Sequence, residues 1–344
     1  MIRQLYVFLC FIRIASLGAE NEDSTEMQQT PLPALAAKED VTEVQQVSLQ
    51  EPPPIPTEPK IEIPHRVEGS LPVPVRKSSF IAVGLSGIFP GLGHIYLNDM
   101  RSAGLMMGGA GISIGLSSIP NEELSFTALY TYQNEWFYGM YAAYRDTHAF
   151  NGAAQYTYRM PSDSLTDLTL APFRYAVWKK PEVWGGVLGW LAAGVALTLL
   201  FDPDYKHAAR TAYPFASTSE INPLVALPVG IGEEAFFRGF LQSTLIENSN
   251  PVLGSVLSSL AFGGMHIPNA AELDLKARAN YYLVSVPFIS AFGGYFSWLA
   301  YKNHSLKEAV AVHFWYDFTL FLVSYLTAPP AAIGIPPLKI SFAF

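Results

Sequence analysis

The chain has 344 residues, of which 50% are hydrophobic and only 15% are charged. Soluble domains carry about a quarter charged residues, so this balance indicates a membrane protein. The formal net charge of -8 comes largely from an acidic N-terminal leader, and no cluster of basic and aromatic residues predicts binding to nucleic acid. The single cysteine, Cys10, lies within residues 1–19, the predicted export signal. Without this signal the mature chain has no cysteine, so it has no disulfide, no thiolate metal site and no cysteine nucleophile.

Residues 1–19 have the pattern of an export signal. Arg3 precedes an apolar run, and small residues follow it up to Ala19. Arg13 interrupts the run, so an uncleaved anchor is the alternative reading. Residues 20–77 are acidic and rich in proline, and they predict a disordered linker because they carry too little apolar surface to form a core. An export signal would place this leader outside the cytoplasm.

Long segments without Lys, Arg, Asp or Glu follow the leader, and they predict membrane-spanning helices because about 20 apolar residues cross the hydrocarbon. The segments are residues 78–98, 102–121, 183–201, 248–271, 279–301 and 318–338. A further span is predicted at residues 221–246, although it contains charged residues. An aromatic segment, residues 126–144, contains Glu135 and either spans or lies in the interface. We therefore expect an all-α polytopic bundle of about seven to eight spans, since only helices and closed barrels satisfy the backbone in lipid.

These spans fall into two regions. Residues 78–150 predict a Gly-rich membrane hairpin that turns at residues 98–101, and residues 174–328 form the second region, followed by a tail at 329–344. In the hairpin, the spacing of glycines predicts close helix packing at Gly104, Gly108, Gly111 and Gly115. The connection between the regions is the most basic long loop, so the positive-inside rule predicts that it is cytoplasmic.

Ionisable side chains inside lipid-compatible helices are the candidates for function, because each costs about 3 kcal/mol on insertion scales. They are Glu233, Glu234, Arg238, His266, His313 and Asp317. Glu234 and Arg238 are one helical turn apart and predict an internal ion pair. A spare carboxylate beside two histidines can activate water and stabilise an oxyanion, or hold a metal ion. A buried polar network that only orders the bundle is the structural alternative.

Three motifs occur in order: residues 233–238 read EExxxR, residues 262–266 read FxxxH, and residues 313–317 read HxxxD. In this combination the chain resembles the CPBP intramembrane proteases, the family that contains the CAAX prenyl endopeptidases, over about residues 180–328. The resemblance implies a membrane-embedded endopeptidase. It also implies that Glu234 and Arg238 support the helix of the first motif.

By the same resemblance, Glu233 with His266 would activate the attacking water, and His313 with Asp317 would hold the tetrahedral oxyanion. Asp317 stands where the prenyl endopeptidases have Asn, which puts its part in oxyanion binding in question. No cofactor is favoured. A divalent metal such as Zn²⁺ stays open, and its ligands would be Glu233, His266, His313 and Asp317.

The expected function is hydrolysis of peptide bonds in membrane-associated polypeptides, with the lipid bilayer and such a substrate as partners and no nucleic acid. The expected location is a bacterial inner membrane, with many spans and an exported leader. The alternatives are a non-catalytic scaffold or bacteriocin-immunity-type protein on the same fold, and a transporter. A rhomboid-type serine protease is also considered, because Gly84-Leu85-Ser86-Gly87 matches GxSG.

Overall fold

The computed structural model describes residues 76–152, 156–201, 222–271 and 273–327. Within these ranges helices are the only regular secondary structure, so the all-α prediction is confirmed. The described ranges all belong to one unit, which begins at Arg76. The predicted signal, nearly all of the predicted linker and the predicted tail lie outside the described residues.

The first predicted span, residues 78–98, is wrong, because the chain turns back halfway along it. It forms α1 (Ser79–Ile88) and α2 (Leu92–Tyr96). Gly91 makes the turn between them with a positive φ of 95°, which glycine adopts without strain. After the turn, Gly93 packs so closely on α1 that a Cβ would lie 2.2 Å from the Ala82 carbonyl oxygen. The backbone N–H of Ser78 donates to the Tyr96 hydroxyl at 3.0 Å, so both ends of this hairpin lie together.

The turn predicted at residues 98–101 leads into α3 (Met100–Ser117). Asp99 caps this helix by accepting from the Ser102 N–H at 3.0 Å. The next helix, α4 (Glu122–Asn151), is continuous over 30 residues and is capped by Asn121. The aromatic segment at 126–144 is therefore the middle of one long helix.

The glycines predicted to bring helices together do not do so within the described chain. A Cβ added at Gly104, Gly108, Gly111 or Gly115 would meet no atom within 4 Å. Gly109 makes the close contact instead, because a Cβ there would lie 1.8 Å from a carboxylate oxygen of Glu135 on α4. The spacing of small residues was correct for a packed helix, but it selected the wrong face of α3.

The remaining helices follow α4 in the chain. They are α5 (Leu165–Leu170), α6 (Tyr175–Trp178), α7 (Pro181–Phe201), α8 (Ala226–Glu234), α9 (Ser243–Asn248), α10 (Pro251–Met265), α11 (Leu275–Asn280), α12 (Val286–Asn303) and α13 (Lys307–Thr327). Two π-helical segments, Ala235–Gln242 and Tyr281–Ser285, join α8 to α9 and α11 to α12 without a break. Such π-helical turns are frequent at functional sites.

Among the described residues, three helical stretches are long and apolar enough to cross a membrane: Pro181–Phe201, Leu275–Asn303 and Lys307–Leu326. The predicted count of seven to eight spans is not confirmed. The last of the three begins well before the predicted residue 318, because a search for charge-free segments could not include Asp317. Conversely, α10 is shorter than the predicted 248–271, since a 3₁₀ turn containing Pro268 replaces its C-terminal end.

Helices α4, α8 and α13 pack together and position the charged residues. One cluster of buried side chains joins these helices. It contains Tyr138 and Tyr141 of α4, Ile231 of α8, Leu306 directly before α13, and Val310 of α13. Helices α10 and α12 pack against each other on the other side of the α8–α9 segment. The helices that carry the three motifs therefore pack together, and α4 forms a further side of the site.

Candidate active site

The ion pair predicted from helical spacing is present. Arg238 Nη1 donates to Glu234 Oε1 at 3.0 Å, and both side chains are completely buried. Arg238 Nη2 donates to the Gly293 carbonyl oxygen at 3.0 Å, and the guanidinium lies over the Phe262 ring at 4.2 Å. The arginine therefore ties the first-motif helix to α12 and α10.

The same Glu234 oxygen also bonds His313, which the sequence analysis did not predict. His313 Nδ1 lies 2.8 Å from Glu234 Oε1. A carboxylate that is already paired with arginine only accepts hydrogen bonds, so the Nδ1 atom carries the proton. Glu234 thus fixes the orientation of the imidazole, and the second nitrogen, Nε2, is left to face the other acidic groups.

Two further carboxylates lie around that second nitrogen. Nε2 of His313 is 3.3 Å from Asp317 Oδ2 and 3.8 Å from Glu233 Oε2. The imidazole ring stacks on Phe296 with 5.0 Å between ring centroids. The structure therefore brings together the first and third motifs at the His313 ring.

His266 lies at the C-terminal end of α10. Its Nδ1 atom is 2.8 Å from the Phe262 carbonyl oxygen, which can only accept, so this nitrogen carries a proton and Nε2 is left as the basic position. No hydrogen bond joins His266 to Glu233, His313 or Asp317 in the part of the chain that is described. The Phe262 ring contacts both histidine rings edge-on, at 5.0 and 6.0 Å.

Burial divides the charged residues into two layers. The Glu234 and Arg238 side chains have no exposed surface, whereas those of Glu233 and Asp317 are each 15% exposed. A buried, paired carboxylate can orient a neighbour but cannot meet a substrate. Glu233 and Asp317 are the carboxylates that a substrate or a water molecule can reach.

These donors do not form a ready-made metal site. Within the described ranges, no group of three or more His, Cys, Asp or Glu side chains is arranged to hold a metal ion. One nitrogen of His313 is engaged by Glu234, and the free nitrogen of His266 belongs to a separate helix end.

Helix α4 adds residues to the site that the sequence did not reveal. A Cβ at Gly232 would lie 2.5 Å from the Asn134 carbonyl oxygen, so α4 approaches α8 directly beside Glu233. The Tyr130 ring packs against Val225 and Val229, just before the first motif. No motif marks these positions, because their contribution depends on how α4 packs.

The serine of the GxSG match lies elsewhere. Ser86 is completely buried in α1, and its hydroxyl has no hydrogen-bond partner among the described residues. It packs against Gly93 of the neighbouring α2. A rhomboid-type dyad requires a histidine on this hydroxyl, and neither His266 nor His313 bonds it.

Acidic and imidazole side chains thus converge in the interior of a bundle of apolar helices. The comparison with protein families gives a specific match: the model described as Type II CAAX prenyl endopeptidase Rce1-like covers residues 221–319. The resemblance predicted from the three motifs is confirmed over this segment, which contains all three. No curated protein and no solved structure matches the chain.

Proposed function

We propose that the protein is an intramembrane endopeptidase that hydrolyses peptide bonds of membrane-associated polypeptides in a bacterial inner membrane. The observation that supports this proposal most strongly is the convergence of Glu233, Asp317 and Glu234 on the two nitrogens of His313. These residues lie inside the segment that matches a protease family. A carboxylate, a histidine base and a fixed imidazole donor are the groups that peptide hydrolysis needs.

In the proposed reaction, Glu233 and His266 activate the attacking water. Glu233 is the partly exposed carboxylate of the first motif, and the Nε2 atom of His266 is free to accept a proton. A water between them loses a proton to this pair while its oxygen attacks the scissile carbonyl carbon. The proton then passes to the leaving amine, which restores the side chains.

His313 stabilises the oxyanion that forms in this step. Glu234 holds Nδ1, so the ring presents Nε2 towards Glu233 and the reacting carbonyl. Asp317 cannot face the oxyanion as a bare anion, because like charges repel. Its position 3.3 Å from Nε2 instead supports a role before the attack, in which it accepts the Nε2–H of the charged form of His313 and gives up this donor to the oxyanion as the oxyanion forms.

The test is proteolysis by purified Glu233→Gln and His266→Ala proteins in lipid vesicles. General acid–base assistance contributes about 10² to 10⁴ in rate, so each variant should lose at least that much while inserting normally. The double variant should be scarcely worse than either single one, because the two groups act on one proton transfer. Glu135→Gln is the matched control, since Glu135 is a half-buried carboxylate on α4 that bonds Ser113.

Substrates can be found by comparing membrane peptides from cells that carry the wild-type or the Glu233→Gln protein. Full proteolytic activity in the purified Glu233→Gln protein would contradict the proposal. An unchanged peptide pattern together with unchanged cell function would favour the non-catalytic scaffold. The proposed chemistry uses water and side chains, so a chelator such as EDTA should leave activity unchanged, and a loss that Zn²⁺ restores would point to a metal enzyme.

A further inference from the structure

The ends of the helices lie at two opposite faces of the bundle. Contacts between residues that are distant in the chain define the first face. The backbone N–H of Lys77 donates to the Asn151 side chain at 2.9 Å, which joins the start of α1 to the end of α4. Lys302 pairs with Glu182 at 2.8 Å, which joins the end of α12 to the start of α7. We call this side of the bundle the leader face, because the leader ends there.

The start of α13 and the start of α10 belong to the same face. Lys180 pairs with Glu308 at 2.6 Å, next to the first residue of α13. Glu247, near the end of α9, accepts from the backbone N–H groups of Thr157 and Tyr158, which follow α4. Since α10 begins just after α9, it also starts at the leader face and runs away from it.

Other helix ends form the far face. Asn222, which precedes α8, donates to Glu123 at the start of α4 at 3.3 Å. Arg278 in α11 donates to the carbonyl oxygens of Ala271 and Leu273, which follow α10. Because α4, α8–α9 and α11–α12 all run from this face to the leader face, the site residues can be placed between the two.

Packing closes the site on the side of the leader face. Leu306, directly before α13, is completely buried, and so are four residues of α13: Ala309, Val310, Ala311 and Val312. Arg238 and Gln242, which continue from Glu234 towards the leader face, are each 1% exposed. A substrate therefore cannot reach His313 from this side without unpacking the bundle.

Among the described residues, the site is less tightly packed in the other direction. From Asp317 to Leu326, every residue of α13 is partly or fully exposed. Glu233 and Asp317 are more exposed than Glu234 and His313. His266, at the far-face end of α10, is also partly exposed.

We propose that the active site opens towards the far face, so that its substrates are polypeptides whose scissile bond enters the membrane from the side opposite residues 76–77. The direction of opening follows from packing. The statement that the entering polypeptides are substrates rests on the proposed function. It also makes two sequence-based expectations incompatible. Residues 76–77 and the basic loop share the leader face, so the leader cannot end outside the cytoplasm while that loop lies inside it.

Cysteine labelling in intact and permeabilised cells tests the two faces without any need for activity. In a Cys10→Ser background, Arg76→Cys and Lys179→Cys report on the leader face, and Lys276→Cys reports on the far face. With a membrane-impermeant maleimide, the first two should behave alike and the third should react from the other side. Reaction of all three from one side, or of Arg76→Cys together with Lys276→Cys, would overturn the arrangement of faces.

The direction of opening is tested on α13 itself. Phe321→Cys lies one turn beyond Asp317 and should react with a small impermeant thiol reagent from the same side as Lys276→Cys. Val310→Cys is the matched control on the closed side, and it should react from neither side. Reaction of Phe321→Cys from the side of Arg76→Cys would overturn the proposal.

A second measurement connects opening to proteolysis in vesicles of known orientation. The reagent should abolish proteolysis by Phe321→Cys when it is added on the far-face side, and should leave proteolysis unchanged when it is added on the leader-face side. Inhibition from the leader-face side alone would contradict the proposed opening. If wild-type protein cleaves nothing, the proposed function fails, whereas the labelling still decides the direction of opening.

Discussion

Replacing Arg238 with alanine tests the buried charges most directly. The change removes the hydrogen bonds to Glu234 and to the Gly293 carbonyl oxygen, together with the contact over the Phe262 ring. Glu234 would remain completely buried with only His313 as a partner. Breaking one side of a buried pair costs about 3 to 5 kcal/mol, and we expect the lower end because His313 still bonds the carboxylate.

That loss is a large share of the 5 to 15 kcal/mol by which folded proteins are typically stable. The Arg238→Ala protein should accumulate poorly in membranes and should unfold at lower temperature in detergent. Arg174→Ala is the matched control, because Arg174 pairs with Asp167 at 3.0 Å while both side chains are more than a third exposed. An exposed pair contributes about 0 to 1 kcal/mol, so this variant should resemble the wild type.

Adding Glu234→Ala to Arg238→Ala separates stability from activity. The double variant should recover accumulation, since no unpaired charge remains buried. It should stay inactive, because His313 Nδ1 loses the acceptor that orients the ring. If Arg238→Ala accumulates and unfolds like the wild type, the ion pair does not stabilise the fold and the reasoning about buried charge is wrong.

Two other substitutions test the site. Asp317→Asn should retain activity within about tenfold, because the amide still accepts from His313 and a net hydrogen bond is worth about 0.5 to 1.5 kcal/mol; inactivity that added Zn²⁺ reverses would instead identify Asp317 as a metal ligand. Gly232→Ala should lower the free energy of unfolding by about 1 to 3 kcal/mol and reduce proteolysis, because its Cβ would lie 2.5 Å from backbone of α4. Gly264→Ala, which meets nothing within 4 Å, should do neither, and equal behaviour of the two alanine variants would show that α4 can move aside.

The sequence was sufficient for features that depend on neighbouring residues. The ion pair of Glu234 and Arg238 follows from a separation of four residues on a helix, and it is present. The proximity of His313 and Asp317 has the same origin. Composition was likewise sufficient for the all-helical class, because lipid leaves few alternatives for the backbone.

Features that depend on packing were not accessible in the same way. Residues 78–98 lack charge and are long enough to span, yet Gly91 allows the chain to turn back, and only the contact of Gly93 with Ala82 shows it. Pairing between Glu234 and His313 joins helices far apart in the chain, so spacing could not predict it. The search for charge-free segments also misplaced the start of α13, because it excluded Asp317.

The close approach of α4 to α8 has a consequence for how this protein can be divided. The family-matched segment begins at residue 221 and leaves out α4, although Asn134 lies against Gly232 and Tyr138 packs with Ile231. A protein truncated to that segment would expose to lipid the surface of α8 beside the first motif that α4 buries. Exchanging the segment between relatives would mismatch the same flank, unless the partner helix were transferred with it. The charged residues of the candidate site and the long helix α4 therefore have to be kept together, although the family-matched segment begins after α4.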